Sequence, residues 1–191
     1  IFAGAAALAA HRASFGQKAM MRNLPEAYRA LVVGASGALG HAFVQLLQAD
    51  ARCGHVQAVS RQSLPGLDLL NEGRIESCAR SLTKVGPFHL VIDATGALML
   101  GEYGPEKRLD ELDADRLLEA MHLNAVGPAL LLKHFTPLLA SGERVIWAKL
   151  SARVGSIEDN RKGGWYGYRA AKAALNMLLQ TAAIEIARRR P

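Results

Sequence analysis

Tyr168-Arg-Ala-Ala-Lys172 sets a phenol and an ammonium four residues apart, on one face of a helix. Held together they form an acid–base pair, because the positive charge favours phenolate and lowers the phenol pKa. Taken alone, the spacing is also a common accident on a solvated helix. The second candidate is Gly34-Ala-Ser-Gly-Ala-Leu-Gly40, with glycines at a G-x-x-G-x-x-G spacing. Phosphate reaches backbone N–H groups at a helix N-terminus only where side chains leave room, so this turn suits a dinucleotide. An ordinary strand-to-helix turn is the alternative. A serine-hydrolase elbow is a weaker one, since Gly34-Ala-Ser36-Gly-Ala38 follows the first strand and no foldable segment precedes it. The third candidate is Ser60-Arg61, about twenty residues past Gly40, where an NAD site would carry an acid for the ribose 2′-hydroxyl. A guanidinium cannot accept that hydroxyl but pairs with a 2′-phosphate, which favours NADP over NAD; a plain surface arginine is the alternative.

These residues need elements to hold them. Arg29–Val33 reads as a first strand, followed by the glycine turn and a helix with Phe43, Leu46 and Leu47 on one face. His55–Ser60 is a second strand, and Leu67–Leu70 a short third strand or its end. A helix with Ile75, Cys78 and Leu82 follows. Phe88–Ile92 is a fourth strand, apolar enough to be buried on both faces, ending in Asp93-Ala-Thr-Gly96. Residues 97–111 form a loop, and a helical stretch from Leu112 to about Leu139 is interrupted near Gly127-Pro128. Arg144–Leu150 is a fifth strand, 151–164 a polar loop, and Tyr166–Arg189 a long helix. Alternating strands and helices predict a doubly wound, Rossmann-like parallel sheet with right-handed crossovers.

The 191 residues suit one domain. The net charge of +6 sits mostly at the ends, on Arg12, Lys18, Arg22, Arg29 and Arg188–Arg190. No basic stripe with interleaved aromatics marks the middle, so no nucleic-acid partner is expected. No apolar run reaches membrane-span length, so no membrane partner is expected. The six histidines lack paired spacing, and no metal site is expected. Cys53 and Cys78, without metal-ligand or disulfide spacing, suggest a reducing, cytoplasmic setting. Residues 1–24 read as an N-terminal extension. The Ala-rich, acid-free segment 1–20 is either sequence upstream of a start at Met20 or Met21, the preferred reading, or a transit remnant that would point to mitochondria. Residues 25–191 form the domain.

From about Arg29 to Pro191 the sequence resembles the short-chain dehydrogenase/reductase family, in particular its C-factor-like carbonyl reductases. The resemblance rests on Gly34–Gly40, Asp93-Ala-Thr-Gly96, Asn124 within Met121-His-Leu-Asn-Ala125, Ser151–Ile157 and Gly163–Asn176. It implies an NADP-dependent oxidoreductase acting on a small carbonyl or alcohol substrate. Tyr168 would protonate the carbonyl oxygen, Lys172 would hold the nicotinamide ribose and lower the Tyr168 pKa, and Asn124 would position a relay water. Gly34, Ser36, Gly37, Ala38, Leu39 and Gly40 would meet the pyrophosphate, Ser60 and Arg61 the 2′-phosphate, and Asp68 with Leu69 the adenine. Ala94, Thr95 and Gly96 would line the cleft. The usual catalytic serine falls at Ala152, so Ser151 or Ser156 would have to supply the hydroxyl that polarises the carbonyl. Loss of that hydroxyl leaves open a catalytically weak nucleotide-binding protein, acting in signalling or within an assembly. The resemblance further implies a sixth and seventh strand beyond Pro191, so the domain is expected to be incomplete at its C-terminus. It also implies a homodimer or homotetramer, joined through the long helices at positions such as Leu131, Leu175 and Leu179.

Overall fold

A computed structural model describes residues 23–189. Segment 1–20, read above as an extension, lies outside the described residues, as does most of 1–24. Four parallel strands form the sheet: β1 (Tyr28–Val33), β2 (Cys53–Val59), β3 (Leu90–Asp93) and β4 (Ile146–Lys149), in the order β2-β1-β3-β4. The helices are α1 (Ala38–Gln48), α2 (Glu72–Leu82), α3 (Ala114–Met121), α4 (Gly127–Phe135) and α5 (Tyr166–Arg189). Between α3 and α4 the helix does not break; His122–Val126 widen into a π-turn.

β1 is central, and its side chains alternate between the two faces, as the two-residue period of a strand requires. Leu31 and Val33 face a core with Ile75, Phe135 and Leu131, while Tyr28, Ala30 and Val32 face one with Leu47, Leu90 and Ile92. Such two-sided burial explains the nearly continuous apolar run in the sequence. Asn71 starts α2 by accepting from Arg74 N–H at 3.1 Å, and Asp113 starts α3 by accepting from Arg116 N–H at 3.0 Å. Each satisfies an N–H that has no partner within its own helix.

Two expectations need correction. Leu67–Leu70 is not a strand: the chain turns instead, with Asn71 N–H donating to Asp68 O and Leu70 N–H to the Asp68 carboxylate. These local bonds compete with a ladder for the same groups. Leu67 and Leu69 keep their core places without strand geometry. Leu131 and Leu175 cannot form an intersubunit face either, since both are fully buried within the chain. The exposed apolar side chains of the long helix include Met177, Leu178 and Ile184, and Leu179 is half-buried.

One glycine sets how closely the loop after β2 approaches the helices. A Cβ on Gly127 would stand 2.8 Å from both Leu69 Cβ and Leu69 O. Gly127→Ala should therefore lower unfolding stability in urea by about 1–3 kcal/mol, the scale of core overpacking. Adding Leu69→Gly, which removes that Cβ, should yield less loss than the sum of the two single changes; strict additivity would show that contact with the Cβ is not what limits the site.

Candidate active site

The parallel strands end at one edge, and their turns meet there. Gly34 leaves β1 with φ +83°, a conformation that favours glycine, and its N–H and that of Ala35 donate to Val59 O at 2.8 and 3.0 Å. A Cβ on Gly40 would lie 2.2 Å from Gly34 O, so the helix can close on the turn only with glycine there. Gly37 caps α1 without a side-chain bond, and no acid occupies the first turn. Ser36, Gly37, Ala38 and Leu39 are exposed. The result is a helix N-terminus presenting N–H groups and a partial positive charge to solvent.

At the end of β2, Ser60 Oγ accepts from Gln62 N–H at 3.2 Å, and Ser63 Oγ donates to Ser60 O at 2.8 Å. This tight turn carries Arg61 outward, exposed. Among the described residues no ion pair engages Arg61, and the Arg74 guanidinium stands near the same loop at Gly66. Asp68 is half-buried, and Leu69 is buried against Gly127. The Leu69 side chain thus serves packing, which leaves its backbone as the part that could meet an adenine.

The other side of the edge brings Tyr168, Lys172, Asn124 and Gly96 together. Lys172 is 3% exposed, with Nζ 5.5 Å from the centroid of the Tyr168 ring. A Cβ on Gly96 would stand 3.0 Å from Asn124 Oδ1 and 3.1 Å from Lys172 Nζ. Asn124 uses its side chain on the backbone: Oδ1 accepts from Ala97 N–H at 3.0 Å, and Nδ2 donates to Ala97 O and Ala120 O at 2.9 and 3.2 Å. The π-turn carries the residue that makes these bonds, so the widened helix ties the loop after β3 to its own axis.

Burial, next to the positive charge of Lys149, brings the Lys172 ammonium down to about 8, with Asp93 opposing. The Tyr168 phenol is pushed up by burial. This reverses the expected direction: no direct bond joins the phenol to Lys172, and loss of hydration outweighs the distant charge. Ala94 and Thr95 pack against Gly34, joining the two halves of the edge. Ser151 lies apart, its Oγ donating to Asn176 Oδ1 at 2.6 Å, two helical turns beyond Tyr168. Ser156 Oγ accepts from Asp159 N–H at 3.3 Å. Neither hydroxyl is bonded to Tyr168.

Two contributors escaped the sequence reading. Glu106 holds the start of α5, accepting from Gly167 N–H at 3.1 Å through its carboxylate and from Trp165 N–H through its backbone oxygen. Trp165 meets the Tyr168 ring edge-on, with centroids 6.4 Å apart. A recess beside Tyr168 is bordered by Glu106, Asn124, Tyr103 and Arg116, whose guanidinium lies 3.7 Å from the Tyr103 ring centre. The second contributor is Lys149, which is paired with Asp93, each side chain 1% exposed. Sequence spacing gives no signal for either, because both partners come from distant segments.

Comparison with known proteins agrees with this geometry. Residues 35–190 match the family model described as enoyl-(acyl carrier protein) reductase. The chain is similar to 1-hydroxy-2-glutathionyl-2-methyl-3-butene dehydrogenase of Rhodococcus sp. (strain AD45), 31% identical over 158 residues, spanning 78% of this chain and 66% of that protein. It is also similar to C-signal of Myxococcus xanthus, 32% identical over 78 residues, spanning 41% of this chain and 47% of that protein. The chain thus spans less than two thirds of these relatives. In fold it matches the carbonyl reductase Sniffer of D. melanogaster, with a TM-score of 0.72 at 20% identity, covering 86% of this chain and 77% of that one. The glycine edge, the Tyr168–Lys172 helix and the match across residues 35–190 place this chain in the short-chain dehydrogenase/reductase family of oxidoreductases.

Proposed function

We propose that the chain is an NADP(H)-dependent reductase of carbonyl compounds, running in reverse as an alcohol dehydrogenase. The gathering of Tyr168, Lys172 and Asn124 around Gly96 is the observation that carries this reading. The residues fit a dinucleotide: Gly34 and Gly40 leave a cradle that side chains would fill, before an uncapped helix N-terminus. In this reading the backbone from Gly34 to Gly40 binds the pyrophosphate, and Arg61 with Ser60 the 2′-phosphate. Asp68 meets the adenine. Ala94, Thr95 and Gly96 line the nicotinamide end of the cleft.

When bound, the reduced nicotinamide supplies the hydride. Tyr168 then gives its proton to the substrate oxygen, and Lys172 binds the ribose and stabilises the phenolate that remains. Asn124 fixes the loop wall opposite, and Ser151 would have to turn away from Asn176 to serve as the hydroxyl after β4. A small carbonyl substrate would meet the Tyr168 hydroxyl from the open side of the edge, at the mouth of the narrow recess bordered by Tyr103 and Arg116. A homodimer or homotetramer is part of the proposal, with Met177, Leu178 and Ile184 as the exposed apolar residues available to an interface. One observation favours a second reading, a nucleotide-binding protein of weak activity. Ala152 stands where the hydroxyl belongs, and Ser151 is engaged by Asn176.

Steady oxidation of NADPH with a panel of aldehydes and ketones separates the two readings. Under the first, Tyr168→Phe abolishes turnover and leaves NADPH affinity nearly intact, because the phenol acts in the transition state. Full activity in that variant would refute the assignment.

Fluorescence titration with both reduced cofactors should show tighter binding of NADPH. Arg61→Asp should weaken NADPH by about 1–3 kcal/mol, the worth of a charge-assisted bond, while NADH binding holds or tightens, since an acid there can accept the ribose 2′-hydroxyl. Equal affinities in the unmodified protein would remove Arg61 from the site.

A pH series tests the burial of Lys172. Its proton affinity is about 8 when folded and the usual 10.5 when unfolded, so the unfolded chain binds more protons between those values. Stability contributed by this residue therefore rises with pH across that window. The stability of the unmodified protein, measured relative to Lys172→Met, should climb from about pH 8 toward 10.5. A flat difference would mean that the ammonium is hydrated.

A further inference from the structure

Lys149 is the buried cation that the scheme above leaves without a task. Its Nζ donates to Asp93 Oδ1 at 2.9 Å, Thr95 O at 2.7 Å and Thr95 Oγ1 at 2.9 Å. All three ammonium protons are used. Asp93 Oδ1 also accepts from Thr95 N–H at 2.9 Å and Thr95 Oγ1 at 2.6 Å, so one carboxylate oxygen and one ammonium clamp the turn from both sides. The next residue is Gly96, the one packed against Lys172 Nζ and Asn124 Oδ1. A buried pair of this kind offers little net stability over apolar side chains, so its presence at the site edge calls for another explanation.

We propose that Lys149 is a positioning residue for the Tyr168–Lys172 pair, fixing the Ala94–Gly96 turn through Asp93 and Thr95 and setting a second ammonium close to that of Lys172. The inference rests on reading Tyr168 and Lys172 as the reacting pair. The charges of Lys149 and Asp93 act on Lys172 in opposite senses. Several charged groups on the surrounding elements have partners of their own. Arg153 pairs with Asp159, Arg169 bonds the carbonyls of Gly163 and Gly164, and Lys133 and His134 reach Glu72. Arg116 lies over Tyr103, and Glu106 holds Gly167 N–H. The Tyr168 ring faces Lys172 Nζ. Lys149 thus holds the turn through its three N–H bonds, and its charge adds to burial in lowering the proton affinity of Lys172, although burial lowers the proton affinity of Lys149 as well.

The test reads the amine of Lys172 directly, by NMR titration of protein carrying 13C-labelled lysine, with the signal assigned through Lys172→Arg. Lys149→Met should raise the Lys172 midpoint by roughly one pH unit, the scale of a like charge nearby in a half-buried setting. Lys149→Arg, which keeps the charge, should leave the midpoint near that of the unmodified protein. Lys149→Met strands the Asp93 carboxylate and endangers folding. A second comparison keeps the test readable where that variant fails to fold: Asp93→Asn, which leaves Lys149 without its carboxylate, should lower the midpoint, and Asp93→Asn/Lys149→Met, which strands neither charge, should raise it again. Circular dichroism confirms that each variant is folded. Equal midpoints in Asp93→Asn and the double variant would overturn the proposal, as would an unmoved midpoint in folded Lys149→Met. A fully active Tyr168→Phe would instead overturn the reductase reading, leaving the titration result intact.

Discussion

Close approach of three turns at one sheet edge is the constraint on which the rest of the site depends. The turns after β1, β3 and β4 must come within van der Waals distance, and side chains stand in the way. Gly34 lets the first turn meet Ala94 and Thr95, and Gly96 lets the second meet Lys172. Gly155 lets the third lie on the helix backbone at Lys172, where a Cβ would be 2.8 Å from the carbonyl carbon. Parallel strands deliver all three turns to the same edge, and glycine allows them to close there. The chemistry proposed for Tyr168 needs that closure, since proton transfer falls off steeply with distance.

Polar groups complete what the glycines permit. Closing the edge buries Asn124, Lys172, Asp93 and Lys149, each of which would be costly if left unpaired. Asn124 spends its amide on backbone, and Lys149 and Asp93 spend their charges on one another and on Thr95. Lys172 makes no such pair, and burial, with the charge of Lys149 beside it, loosens its hold on its proton. Among the described residues, the one buried ammonium without a carboxylate partner is the one placed beside the phenol.

Much of the framework was legible in the sequence because local signals specify it. The apolar runs of β1 and β3, the glycine spacing and the long final helix each carry a short-range pattern. Leu67–Leu70 misled because alternating apolar residues look the same in a strand and in a turn whose Asp68 carboxylate takes the local N–H. Leu131 and Leu175 were assigned to an interface because periodicity marks a buried face without saying what buries it. Glu106 and Lys149 were missed for a different reason. Their partners lie 61 and 56 residues away, and only the folded topology brings them together.

The edge-on contact between Trp165 and Tyr168 makes the site optically visible. The chain has two tryptophans, and the second, Trp147, lies on β4 two residues before Lys149. Both indoles therefore belong to the neighbourhood of the sheet edge, with none on a remote surface to dilute the signal. Ultraviolet emission from this protein is a local probe: shifts in its colour or intensity register rearrangement around the phenol rather than averaging over the whole molecule. A reduced nicotinamide absorbs where indoles emit, so occupancy and geometry could be read together by energy transfer, without any attached dye.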